Sequence, residues 1–191
     1  KVGQMMEVMT PTGNFLITPD KNNSRSIVLF AAGSGITPVL SIAKSVLEEE
    51  PNSTFVLVYG NKDESETIFH EELKALQLKN LGRFFVHFVY SQANIAGELS
   101  GRIDKNVVHT VLKTKHSDKT FSKFYLCGPE AMIQVVTATL KENNVAEKDI
   151  KFELFGTSTA SENKVATGNE GHTAISITVD ADEVSFEMSQ Q

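Results

Sequence analysis

The chain has 191 residues, 18 of them basic and 24 acidic, for a net charge of −6, and it contains one cysteine. With 40% hydrophobic and 22% charged residues it is long and apolar enough to bury a sizeable core, which excludes a disordered polymer. The acidic balance, with no basic cluster, argues against nucleic-acid binding. No apolar run approaches the roughly 18 residues of a membrane helix.

A lone Cys127 excludes an internal disulfide. It also stands at no zinc-ligand spacing from His70, His87, His109, His116 or His172, so no metal centre is expected. The chain opens at Lys1 without a Met or a signal-like segment, and the expectation is a piece of a longer cytoplasmic protein.

Residues 1–20 place the turn residues Thr10-Pro11-Thr12-Gly13-Asn14 between two short apolar runs, a hairpin-like pattern. From there, apolar runs alternate with helix-like stretches. The runs are Ile27–Ala32, Phe55–Tyr59, Phe84–Val89, Phe124–Leu126 and Phe152–Phe155. The stretches between them are Pro38–Glu50, His70–Asn80, Asp104–Lys115 and Pro129–Asn143. In the last, Met132, Val135, Val136, Thr139 and Leu140 recur at helical spacing. A continuous run such as Ile27–Ala32 suits a strand covered on both faces. The alternation predicts right-handed crossovers and an α/β fold, a five-stranded doubly wound parallel sheet of order 3-2-1-4-5.

Gly156–Gly171 holds one large aliphatic residue, Val165, and reads as a linker. Beyond it, Ala174–Val179 alternates as a half-buried strand, and Asp180–Glu183 turns it into Val184–Met188. A two-stranded hairpin alone is marginal in water, which marks this tail as the first piece of another domain.

Two loops carry chemistry. Gly33-Ser34-Gly35-Ile36-Thr37-Pro38 follows the first strand and opens a helix. Such a turn presents backbone N–H groups and the positive end of the helix dipole to a phosphate. Taken alone, it serves equally as a sharp turn. A standard dinucleotide fingerprint would carry a third glycine at Pro38 and an acid at the end of the second strand. Here that strand ends Tyr59-Gly60-Asn61-Lys62, which disfavours an ordinary NAD dehydrogenase.

The second loop, Cys127-Gly128-Pro129-Glu130-Ala131-Met132, also joins a strand end to a helix. In the order 3-2-1-4-5, strands 1 and 4 are neighbours at the topological switch point where ligands bind, so both loops border one crevice. A P-loop is disfavoured because Gly33–Pro38 lacks the Lys-Ser/Thr that grips phosphate and magnesium.

Together the GxGxxP and CGP loops resemble the ferredoxin–NADP reductase superfamily over roughly Arg25–Gly156. Phe152–Phe155, followed by a linker and a hairpin, looks most like reductase components of the phenylacetyl-CoA oxygenase type. The resemblance implies four regions: residues 1–20 as the end of an FAD-binding β-barrel, 21–156 as the NAD(P)-binding domain, 157–172 as a linker, and 173–191 as the start of a [2Fe–2S] ferredoxin domain. It implies NADH or NADPH as the bound dinucleotide, with FAD and the cluster belonging to the longer parent. Electrons would then pass to an oxygenase component, and the isolated piece would be inactive.

By the same resemblance, Gly33, Ser34, Gly35, Ile36, Thr37 and Pro38 hold the pyrophosphate and nicotinamide-ribose side. Cys127 lies beside the nicotinamide as a packing group and not a nucleophile, with Gly128, Pro129 and Met132 next to it. Glu153 and Phe155 stand at the flavin–nicotinamide junction, and Asn61, Ser91 and Gln92 border the adenosine pocket. Residue chemistry leaves alternatives open: a small buried hydrophobe for Cys127, a solvated charge for Glu153 and plain core for Phe155.

NADPH-specific relatives often carry Ser-Arg where this chain has Ser91-Gln92. Lys62 or Arg102 could supply the missing cation or could be surface charges, so NADH versus NADPH stays open. Other readings are the electron-transfer part of a flavohaemoglobin-like or dihydroorotate-dehydrogenase-type system, and a non-catalytic nucleotide-binding module.

Overall fold

The computed structural model describes residues 12–155 throughout, isolated positions of the stretch before them, and the backbone of two strands near the carboxyl end. Two compact units emerge, Lys1–Thr157 and Ser158–Gln191.

In the first unit, strands β1 (Ser26–Ala32), β2 (Thr54–Asn61), β3 (Phe84–Tyr90), β4 (Leu99–Ser100), β5 (Phe121–Cys127) and β6 (Ile150–Glu153) form one parallel sheet. Its order is β4-β3-β2-β1-β5-β6. Helices α1 (Ile36–Glu49), α2 (His70–Lys79), α3 (Lys105–His109) and α4 (Glu130–Glu142) complete the layers, and α3 runs on into a π-helical stretch, Thr110–Lys115. Five of the strands, β3-β2-β1-β5-β6, reproduce the expected doubly wound order.

β4 was not expected. It consists of two residues paired with Val89 and Tyr90, too few to leave a periodic signal. The strand expected at Phe152–Phe155 is instead Ile150–Glu153. β6 pairs with β5 from Phe124↔Ile150 to Cys127↔Glu153, and pairing stops where β5 gives way to the Gly128-Pro129 turn. Leu154 and Phe155 therefore lie past the sheet.

Both faces of the sheet are covered, which is why its central strands are apolar without alternation. On one face, Ile27, Leu29, Ala31, Tyr59, Tyr125 and Cys127 pack with Val39, Ala43 and Val46 of α1. On the other, Val28, Phe30, Val58 and Leu126 pack with Val107 and Val108 of α3 and with Met132, Ile133, Val136 and Leu140 of α4. Ile133 takes the core position expected for Val135, which is 41% exposed.

The hairpin expected in 1–20 is absent among that stretch's described residues, where no strand forms. Phe15 and Ile17 pack onto the first core, Phe15 edge-on to Tyr125 at 5.5 Å between centroids. The Leu16 carbonyl accepts from the Tyr125 hydroxyl at 3.3 Å and from Lys151 Nζ at 3.1 Å. Side chains thus satisfy a carbonyl that a strand partner would otherwise bond. The expected linker lies outside the described residues up to His172. In the second unit, β7 (His172–Val179) and β8 (Asp182–Ser189) pair antiparallel, as the alternating pattern predicts.

Among the described residues, no helix is long and apolar enough to cross a membrane.

One packed pair makes stability pH-dependent. His87 of β3 and His116, after the π-helical stretch, share a hydrogen bond between Nε2 atoms at 2.8 Å, with Phe85 and Phe121 against the His116 ring. Burial, followed by the charges of His116 and Lys115, lowers the His87 pKa from 6.5 to about 4; burial lowers His116 as well. The unfolded chain therefore takes up protons first. Stability is full above pH 6.5 and falls as the pH drops towards 4, by up to about 3 kcal/mol from His87. Urea midpoints across this range should show the slope, and His87→Gln should flatten it.

Candidate nucleotide-binding site

The first loop begins where β1 ends. Gly33 adopts φ +53°, a left-handed conformation that turns the chain into a single 3₁₀ turn and then α1. Its carbonyl accepts the Ile36 N–H and, at 2.9 Å, the Tyr59 hydroxyl from the end of β2. The Thr37 hydroxyl donates to the Ser34 carbonyl at 3.0 Å. The turn is thus tied to its own helix and to the neighbouring strand.

The two glycine loops touch. β1 lies between β2 and β5, with Ala31 level with Cys127, so the first loop leaves the sheet beside the second. A Cβ on Gly35 would lie 2.1 Å from the Cys127 carbonyl oxygen and 3.0 Å from the Gly128 nitrogen. A Cβ on Gly128 would lie 3.2 Å from the Ala32 nitrogen. Glycine at 35 is therefore a condition of close backbone approach.

Over the carboxyl ends of β1, β2 and β3 opens a cavity of about 540 Å³, within the usual range of small-ligand sites. Of the residues expected at the site, Gly33, Asn61, Ser91, Pro129 and Met132 line it. Its floor and wall also include Ala32, Gly60, Ile103, Ala131 and Val135, and its charged groups are Lys62, Glu66, Arg102 and Asp104. Asn61 Nδ2 is buried and has no hydrogen-bond partner among the described residues. A ligand acceptor would satisfy it.

Other expected residues sit elsewhere. Ile36 is wholly buried and part of the core, so its side chain does not face the cavity. Ser34, Thr37 and Gln92 are exposed, Pro38 is half-buried, and none of the four lines the cavity. Cys127 is 0% exposed, on the α1 face of the sheet. Burial, and then the charge of Glu153 opposite it on β6, pushes its thiol up to about 11. A thiol so protonated at neutral pH is a poor nucleophile. Phe155 is 52% exposed and is not core.

Sequence reasoning missed Tyr59 as the anchor of the first loop. A tyrosine at the end of a strand beside a glycine turn is a usable signal, but only the pairing of β1 with β2 reveals its target.

The sequence pattern of the oxidoreductase NAD-binding domain matches residues 29–138, spanning both loops and the cavity walls between them. The chain belongs to this family. This NAD-binding domain is 33% identical over 156 residues to a component of the 1,2-phenylacetyl-CoA epoxidase of Escherichia coli K12, covering 81% of this chain and 44% of that protein. It is 30% identical over 158 residues to the flavohemoprotein of Oceanobacillus iheyensis, covering 82% and 37%. Among solved structures, the CS-b5R domains of human Ncb5or in their NAD+ form are similar, with a TM-score of 0.60 and 27% identity, covering 67% of this chain and 36% of that one. The chain thus spans less than half the length of these curated relatives.

Proposed function

We propose that the cavity binds a reduced nicotinamide dinucleotide, NADH or NADPH, and that the domain orients it for hydride transfer to FAD held by an adjoining domain. In the longer protein this reading includes, electrons continue through a [2Fe–2S] ferredoxin domain to an oxygenase component. The contact of the two glycine loops beside the cavity carries the proposal, since a fold needing only two turns has no reason to press Gly35 against the Cys127 carbonyl.

The residues present fit the dinucleotide. The Gly33–Gly35 turn and the start of α1 offer backbone dipoles to a diphosphate. Asn61 Nδ2 offers a donor, and Ile103, Met132 and Val135 offer an apolar wall that keeps water from a base. The dinucleotide, when bound, supplies the hydride; the chain positions it, which is the protein's part in such chemistry. In this reading the flavin side meets the domain where β5 and β6 end, with the buried Cys127 level with Glu153 there and the exposed Phe155 just beyond. With one cysteine, this chain does not itself supply the four ligands of a plant-type cluster, and this reading assigns them to the longer protein.

Relatedness to the phenylacetyl-CoA epoxidase component supports the oxygenase-linked reading, as does the separate β7–β8 hairpin. A flavohaemoglobin-like system is the second reading, favoured by the flavohemoprotein match. A C-x4-C-x2-C pattern in the coding sequence beyond Gln191 decides for the first, and a haem domain in the same polypeptide decides for the second.

A thermal-shift titration tests the binding itself. A ligand selective for the folded state stabilises by about 2.7 kcal/mol at a hundredfold excess over Kd. The midpoint should rise with NADH or NADPH; no rise with either at millimolar concentration overturns the proposal.

A further inference from the structure

We infer that this cavity is built for a dinucleotide carrying a 2′-phosphate, gripped by Arg102 together with a Lys62 released from Glu66. The inference rests on the dinucleotide reading above and assigns that site its substrate class.

In sheets of this type the ribose 2′ group is read beside the end of the second strand. A carboxylate there accepts a 2′-hydroxyl, and a nearby guanidinium accommodates a 2′-phosphate. Here β2 ends at Asn61, with Lys62 next, and both line the cavity. The cavity does contain two carboxylates, but both are engaged. Asp104 caps α3, accepting the Val107 N–H at 2.9 Å. Glu66 is ion-paired with Lys62 at 2.9 Å. Neither stands at the end of β2, the position from which a ribose hydroxyl is read.

Arg102 is exposed and makes no ion pair or side-chain hydrogen bond among the described residues. Its place is nonetheless set by the fold. Gly101, at φ +97°, donates its N–H to the Tyr90 carbonyl at 2.8 Å, fastening this turn to the end of β3. Arg102 thus lines the cavity from a turn held at the end of β3, two strand spacings or about 10 Å across the sheet from β1, whose end carries the Gly33 turn. That separation leaves the diphosphate and the adenosine ribose room in between.

Ser91 lines the same end of the cavity, whereas Gln92 does not, and the Gln92 N–H is spent on the Lys62 carbonyl at 2.9 Å. The cation missing at position 92 is therefore supplied from the following turn, and a planar guanidinium suits a phosphate's paired oxygens. Lys62 and Glu66 are 57% and 53% exposed, so their pair is weak, and an incoming dianion competes for the ammonium with Glu66.

The test is a calorimetric titration of the chain with 2′,5′-ADP, 5′-AMP, NADPH and NADH at low ionic strength. The wild-type chain should bind each 2′-phosphorylated ligand at least tenfold tighter than its counterpart. Arg102→Ala should remove most of that ratio while weakening 5′-AMP far less than 2′,5′-ADP, and Arg102→Lys should restore part of it. Glu66→Gln should tighten 2′,5′-ADP several-fold. Equal affinities, a preference for 5′-AMP, or an Arg102→Ala loss shared equally by both ligand types would overturn the 2′-phosphate assignment while leaving dinucleotide binding intact. Failure of all four ligands to bind would overturn the dinucleotide reading and this inference with it.

Discussion

Alanine at position 35 is expected to abolish nucleotide binding and to destabilise the domain by about 3 kcal/mol or more, the upper part of the range for overpacking. The added Cβ would lie 2.1 Å from the Cys127 oxygen, 2.5 Å from its carbonyl carbon and 3.0 Å from the Gly128 nitrogen. All three are backbone atoms at the end of a central strand, and no side chain can rotate to relieve them. Either the start of α1 lifts away or β5 shifts against β1, and each opens the crevice between the loops.

Gly33→Ala is the control. No atom lies within 4 Å of its added Cβ, but φ +53° costs a non-glycine residue about 1–2 kcal/mol. Urea unfolding and the thermal-shift titration, run on both variants, separate the two effects. A Gly35→Ala chain with wild-type stability and affinity would mean that the loops do not meet as described.

The second large effect lies far from the cavity. Glu50, just past the end of α1, is a wholly buried carboxylate. Arg25 Nη2 reaches it at 2.5 Å and Arg25 Nε at 3.1 Å, Ser53 Oγ at 2.6 Å, Asn23 Nδ2 at 3.0 Å and the Asp20 N–H at 3.1 Å. Burial pushes this carboxyl up, but the hydrogen bonds from Arg25, Asn23, Ser53 and Asp20 outweigh it and hold its pKa at about 2.

Glu50→Ala leaves Arg25 without its partner and the Asp20–Arg25 stretch without its anchor, so the expected loss is about 3–5 kcal/mol. The sign with pH follows from the lowered pKa. Glu50 contributes fully above the ordinary value of 4.5, and the contribution disappears as the pH falls from there to about 2. Acid unfolding should therefore proceed in two windows, the histidine pair between pH 6.5 and 4 and Glu50 below it. Glu50→Gln should remove the lower window only. An unchanged urea midpoint in Glu50→Ala would show that the network carries no stability.

What the sequence determined by itself is whatever local pattern encodes. Unbroken apolar runs marked β1, β2, β3 and β5 because a strand covered on both faces needs apolar side chains in both directions. Helical spacing marked α4, and glycines after strand ends marked the two loops. Only the tertiary structure decided what depends on residues distant in the chain. β4 exists because Tyr90 offers an edge, and β6 stops at Glu153 because β5 stops at Cys127.

Glu50 is one of three consecutive glutamates, and nothing local distinguishes it from Glu48 or Glu49. It becomes the buried anchor because Arg25, 25 residues earlier, enters the sheet beside the end of α1. The same holds at the site. The loops were legible as turns, but their contact, the Tyr59 anchor and the cavity position of Arg102 follow from strand order. Strand order is set by long-range burial, which no short window of sequence contains.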